Sequence, residues 1–258
     1  MVTLLRAVLL DLGETLVHLD RPWHDVFNED LQALYDYLST LGLKFDYNHF
    51  AERFIKIFDD ASANADVFKV EIPMQEIITK AMKQSGLQFP GMDLPTSAMV
   101  EFYRPEVDSW NVFPDTIETL STLKDRGFEL GLVSNSKSDW LIRSILQHQN
   151  LESFFQVIVT SAALRIRKPR AEIFAEALKT LKVKAAESVF VGDSIQADVS
   201  GAKHVGMRSI HVLRRPITTP HPSIPDATVT NLSEVPPLLS SWNNGSSDST
   251  NGHPEAST

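Results

Sequence analysis

The chain contains no cysteine, which removes a disulfide framework, a thiolate nucleophile and any zinc site built on sulfur. Its chemistry must rest on oxygen and nitrogen groups, and a reducing, cytoplasmic setting is the expectation. Long apolar runs are also missing. The run at residues 8–10 is cut by Asp11, far short of the roughly 20 residues that span a bilayer, so neither a membrane anchor nor a secretion signal is expected. Positive charge is in deficit: 24 Lys and Arg stand against 33 Asp and Glu, a net charge of −9. That balance disfavours nucleic acid as a partner, because attraction to a polyphosphate depends on clustered cations.

What is present is a chain of 258 residues, 43% of them hydrophobic, enough to fill one large α/β domain or two modest ones. The second half alternates short apolar runs with amphipathic stretches, the pattern of β-α units feeding a parallel sheet. FELGLVSN, FQVIVTS, SVFVGDS and RSIHVL read as strands. Between them, PDTIETLSTLKDRG offers Asp115 three residues before Glu118 as a helix start, Ile117, Leu120 and Leu123 as an apolar face, and Gly127 as the stop. KPRAEIFAEALKTL places Pro169 at a first-turn position, with Ile173, Phe174, Ala177, Leu178 and Leu181 as its stripe.

Residues 17–108 have helical periodicity and almost no strand signal. Phe27, Leu31, Leu34, Tyr35 and Leu38 share one face, as do Phe50, Phe54, Ile57 and Phe58, which predicts a separate all-helical unit. The expected organisation is a core of residues 1–16 and 109–240, a helical unit at 17–108, and a disordered tail at 241–258 with little to bury. There is no internal repeat.

Four polar groups fall at strand ends: Asp11, Ser134 with Asn135, Lys168, and Gly192-Asp193 with Asp198 following. In open α/β sheets ligands bind beyond the carboxyl ends of the strands, so these groups are expected to converge. A nucleophilic acid, a metal-binding acid, a lysine and small donors are what phosphoryl transfer requires. Each has a bland alternative. Asp11 suits a strand-ending turn, Ser134-Asn135 a helix cap, Lys168 a solvated basic loop in RIRKPR, and Asp193 another turn. The first-half histidines, His18, His24 and His49, suit surface positions, and Trp23 and Trp110 suit either a substrate mouth or hinge packing.

DLGETL, LVSNS, RKPRAEIF and VFVGDSIQAD, in this order, resemble the four motifs of the haloacid dehalogenase superfamily, over roughly residues 5–16 and 109–232. The resemblance implies a Rossmann-like, doubly wound, mainly parallel sheet with an inserted helical cap. It implies Asp11 as the nucleophile that forms an aspartyl-phosphate and binds Mg²⁺, the Gly13 backbone carbonyl and Asp193 as further metal ligands, and Asp198 in support. Ser134, Asn135 and Lys168 would grip the phosphoryl group of a small phosphorylated metabolite. The oligomeric state is not legible.

The sequence departs from the phosphatase pattern at Gly13, where most phosphatases of the superfamily carry a second aspartate as general acid and base. Proton transfer is therefore expected to be the weak step. Glu14 is not expected to replace it, because side chains alternate in extended backbone. Three functions fit: a Mg²⁺-dependent phosphatase, a catalytically weak binding or regulatory protein of the same fold, and a metal-independent 2-haloacid dehalogenase.

Overall fold

The computed structural model describes residues 4–88, 93–214 and 222–245. Strand β1 (Ala7–Leu10) leads through the short β2 (Val17–Leu19) into four helices, α1 (Trp23–Thr40), α2 (Tyr47–Phe68), α3 (Met74–Gln84) and α4 (Leu94–Ser109). The chain returns by β3 (Trp110–Val112) to α5 (Thr116–Asp125), β4 (Glu129–Ser134), α6 (Asp139–His148), β5 (Val157–Thr160), α7 (Ser161–Leu164) and α8 (Ala171–Leu181). It closes with β6 (Ser188–Gly192), α9 (Ser200–His204), β7 (Arg208–Val212), β8 (Ala227–Val229) and α10 (Val235–Asn244).

Six strands pair in the order β5-β4-β1-β6-β7-β8, all parallel. The strands are apolar along their length because helices cover both faces. The alternation in β1 divides the core: Val8 and Leu10 join the cluster under α5, α6 and the inserted helices, while Ala7 and Leu9 join the one under α8 and α9. Gly131 in β4 marks a close approach, since a Cβ there would overlap Leu9 and Val157. β1 connects outward to β4, while β6 pairs with its other edge, so the strand order reverses at β1. The crevice for a ligand in such a sheet opens at that reversal, and Asp11 is the first residue beyond the strand.

The inserted helices bury the apolar faces read from the sequence: Phe27, Leu31, Leu34 and Leu38 of α1, and Phe50, Phe54 and Ile57 of α2, are buried together with Phe102 of α4. Aromatic contacts link them, Phe54 to Phe102 at 5.3 Å and Phe27 to Phe58 at 4.8 Å between ring centroids.

Several local expectations are corrected. Ile117 is half exposed, and Thr116 and Thr119 take the buried face of α5 beside Leu120 and Leu123. Asp115 does not cap that helix with its side chain; it pairs with Arg214 at 2.8 Å and accepts the Leu232 N–H. Pro169 lies before α8, whose N-cap is Arg170, and the Lys168–Pro169 peptide is cis. β2 and β3 form an antiparallel pair that the helical reading of this region had no place for. Ser241 to Asn244 complete α10 rather than opening a disordered tail. Asn243 accepts the Leu5 N–H at 2.7 Å and donates to the Leu5 carbonyl, and Trp242 lies under the Arg208 guanidinium. The remainder of the expected tail, 246–258, lies outside the described residues.

Candidate active site

Asp11 is placed by the sheet itself, because its N–H bonds to the Val191 carbonyl at 3.0 Å and extends the β1–β6 ladder by one residue. On the neighbouring strand β6, Gly192 ends the apolar run and Asp193 follows. The chain then enters a π-helical turn, Ile195–Val199, that carries Asp198 back toward the strand end. Gly192 is required for this fold-back: a Cβ there would sit inside the Asp198 carboxylate. The Ser194 N–H bonds Asp198 Oδ2 at 3.0 Å, and the His211 ring bonds the Asp193 carbonyl at 2.9 Å. Carboxylate oxygens of Asp11, Asp193 and Asp198 lie within 4.8 Å of one another.

Lys168 enters this cluster from the loop before α8. Its buried Nζ forms ion pairs with Asp11 Oδ1 at 2.8 Å and Asp198 Oδ1 at 2.7 Å and donates to the Val133 carbonyl at 2.8 Å. Asn135 fixes the lysine's backbone from both sides, accepting the Lys168 N–H at 2.8 Å and donating to its carbonyl at 3.2 Å. Neither Ser134 nor Asn135 caps a helix; Ser138 caps α6 by accepting the Leu141 N–H. Ser134 ends β4 facing the same cavity.

Burial alone would lower the Lys168 ammonium, but the charges of Asp11 and Asp198 outweigh it and hold the group above its ordinary range. Burial raises Asp198, and Asp11 and Asp193 raise it further against the opposing effect of Lys168, so it is pushed up to about 7. Clustered carboxylate oxygens are the donors a hard divalent cation prefers, so the residues fit a magnesium site.

The cavity over the cluster measures about 420 Å³. Its walls bring together Asp11, Gly13, Ser134, Asn135, Lys168, Asp193 and Asp198, from four segments of the chain. They also include residues the motifs do not announce: Glu14, Lys69, Glu106, Trp110 and Arg167. Glu14 corrects the expectation that it faces away. Its φ is +56°, a left-handed conformation to which alternation in extended backbone does not apply. The Trp110 ring packs beside Gly13, in van der Waals contact at 3.4 Å with a Cβ built there.

His18 stacks on Phe113 and contacts the Leu19 carbonyl, while His24 and His49 are exposed beside Asp25 and Asp46. No histidine among the described residues lines the cavity.

The inserted helices are tied to the loops that carry these residues. Glu71, between α2 and α3, is fully buried and accepts from Arg167 Nη1 at 2.9 Å, Ser161 Oγ at 2.8 Å and Lys137 Nζ at 3.3 Å. Backbone bonds run beside it from the Glu71 N–H to the Arg165 carbonyl and from the Arg167 N–H to the Lys69 carbonyl.

Known proteins resemble this chain at each of these levels. A glyceraldehyde 3-phosphate phosphatase from Methanopyrus kandleri is 34% identical over 48% of the chain and 53% of its own length, so the chain spans about half of that relative. The phosphatase of the same name from Methanocaldococcus jannaschii is 26% identical over 82% of the chain and 86% of its own length. Among solved structures, a HAD phosphatase from Thermococcus onnurineus superposes with a TM-score of 0.62 at 25% identity, covering 91% of this chain and 98% of that one. A 2-haloacid dehalogenase from Pseudomonas syringae reaches 0.67 at 24% identity, covering 93% and 100%, a likeness of fold alone. The hydrolase family described as haloacid dehalogenase-like hydrolase matches residues 5–206, and with that span the chain belongs to this family.

Proposed function

We propose that this enzyme is a Mg²⁺-dependent phosphatase that hydrolyses a small phosphomonoester through an aspartyl-phosphate on Asp11, with the inserted helices as a cap over the site. The observation that carries the reading is the pairing of Lys168 with both Asp11 and Asp198 at the reversal point of the sheet, beside a third carboxylate. The phosphatase names of the relatives support the substrate class. Asp11, Asp193 and the Gly13 backbone carbonyl are the residues that would hold Mg²⁺, which when bound would neutralise and polarise the phosphoryl oxygens.

The rest is the work of the chain. Lys168 keeps Asp11 ionised and oriented and balances the charge that builds on the transferring group. Asn135 positions Lys168 through its backbone and retains one amide N–H for a phosphoryl oxygen, and the Ser134 hydroxyl offers a second donor. Asp11 attacks phosphorus as the ester oxygen departs, and water then cleaves the acyl-phosphate to release inorganic phosphate and restore the carboxylate.

A panel of phosphorylated metabolites and one 2-haloacid, each assayed with Mg²⁺ and with chelator, tests this reading. Phosphate release that needs Mg²⁺ and is abolished in Asp11→Asn is the expected result. Release that survives Asp11→Asn, or halide release that persists in chelator, overturns it.

A further inference from the structure

Glu106 of α4 lines the cavity that holds Asp11, and with Asp30 of α1 it makes a pair of buried acids for which the chemistry above has no use. Asp30 of α1 is buried, and its Oδ1 accepts the Glu106 N–H at 3.1 Å, while its buried Oδ2 has no donor among the described residues. Burial pushes both carboxyls above their ordinary range, and the charge of Glu106 raises Asp30 further. Among the described residues no lysine or arginine pairs with either. Of the cations that line the two cavities with Glu106, Arg167 pairs with Glu71 and Asp66 and Lys137 with Glu71, while Lys69 pairs with neither acid. Tyr103, one turn before Glu106 and buried, is held protonated by burial and then by the charges of Glu106 and Asp30. Two uncompensated carboxyls in contact cannot both ionise cheaply, so the pair stores a proton.

Glu106 directs that proton toward the reaction. It lines both the cavity that holds Asp11 and Lys168 and an adjoining one of about 370 Å³ walled by Trp23, Phe27, Phe58, Phe102 and Tyr103. Its Oε1 accepts from Trp110 Nε1 at 3.2 Å, and the same indole covers Gly13, the position that lacks an acid. Burial raises the Glu106 carboxyl to about 7, a value suited to giving and taking a proton near neutrality.

Resting on the phosphatase reading, we propose that Glu106 is the acid–base group of the reaction, filling from the inserted helices the role that Gly13 cannot. In the first step the bond between phosphorus and Asp11 forms, the bond to the ester oxygen breaks, and the Glu106 proton passes to that oxygen. In the second, water attacks phosphorus, the bond to Asp11 breaks, and the water's proton returns to Glu106. The cycle closes with no net change on the protein. Asp30 acts as a positioning residue that keeps the shared proton on the pair.

The test uses p-nitrophenyl phosphate, whose leaving group needs no proton, and n-butyl phosphate, whose leaving group does, with wild type, Glu106→Gln and Asp11→Asn. Glutamine retains the acceptor for Trp110, and matching melting curves show that the variant is folded. The expected result is that Glu106→Gln turns over n-butyl phosphate about 10²- to 10⁴-fold more slowly. With p-nitrophenyl phosphate it releases a burst of about one nitrophenolate per site followed by slow turnover, because Asp11 is still phosphorylated but the water lacks its base. Unchanged rates on both esters, equal losses without a burst, or a wild type that cleaves only the aryl ester each overturn the role of Glu106 while leaving the phosphatase reading intact. Failure of wild type to release nitrophenolate in an Asp11-dependent manner overturns both.

Discussion

Lys168 and Asp11 meet at 2.8 Å although 157 residues separate them in the chain, and with Asp198 they form a three-member ionic cluster almost shut off from solvent. Removing the lysine would leave two buried carboxylates without a counter-charge. Lys168→Ala is therefore expected both to lower the activity by orders of magnitude and to destabilise the fold, by about 3–5 kcal/mol on the scale of a broken buried pair. Lys168→Met, which fills the space without the charge, separates the two effects: thermal melting and phosphate release measured together should show partial recovery of stability and none of activity.

The Asp30–Glu106 pair predicts how stability depends on pH. Burial first, then the neighbouring carboxyl, raises Asp30 from its ordinary range to about 9. The folded state therefore holds a proton that the unfolded chain releases near pH 4, and stability from this group is present below that point and lost as pH rises toward 9. Asp30→Asn should flatten the decline and raise the melting temperature at pH 8 relative to wild type. Equal slopes of melting temperature against pH between 5 and 9 would show that the pair is not protonated.

Gly13→Asp, which would restore the side chain usual in related phosphatases, brings its Cβ into contact with the Trp110 ring and its carboxylate beyond it. The carboxylate and the indole would compete for one space, and displacing the indole breaks its bond to Glu106. Gly13→Asp alone is expected to accelerate n-butyl phosphate cleavage by less than the double variant Gly13→Asp, Trp110→Ala. Initial rates for the two variants side by side decide the point.

The last turn of α10 predicts a length requirement. A chain ending at Ser240 loses Asn243, with both its bonds to Leu5, and Trp242, on which Arg208 stacks. At about 1 kcal/mol per net hydrogen bond and a similar amount for the cation–aromatic contact, the truncated protein should melt several degrees lower. Asn243→Ala should account for part of that loss.

The residues that converge on the cavity were legible where a strict local rule marks them. Asp11 interrupts an apolar strand, and the glycine before Asp193 ends another, so both stand out against a background of valine and leucine. Glu14 was misread because the rule applied to it assumes extended backbone, and its left-handed φ is set by the turn that brings the Glu14 N–H onto the Val17 carbonyl. Ile117 and Asp115 were misassigned because a helical stripe shows which residues share a face but not which face meets the sheet. Asp115 was diverted by Arg214, a partner 99 residues away. Glu106 left no signal: its meaning depends on Asp30, 76 residues earlier in the chain, and on an indole that packs beside Gly13. The polar composition after Leu239 hid the last turn of α10 because a single asparagine and a single tryptophan anchor that turn.

The seam around Glu71 has a mechanical consequence. Lys69 and Glu71 share backbone bonds with Arg167 and Arg165, and Lys168 is the next residue along that same loop. Any swing of the inserted helices that parts this seam must pull on the segment that carries Lys168. Access to the cavity and alignment of Lys168 are therefore geared together: the amide protons of Glu71 and Arg167 should exchange with solvent at the rate at which the enzyme disarms itself, and a substrate that closes the seam rearms it.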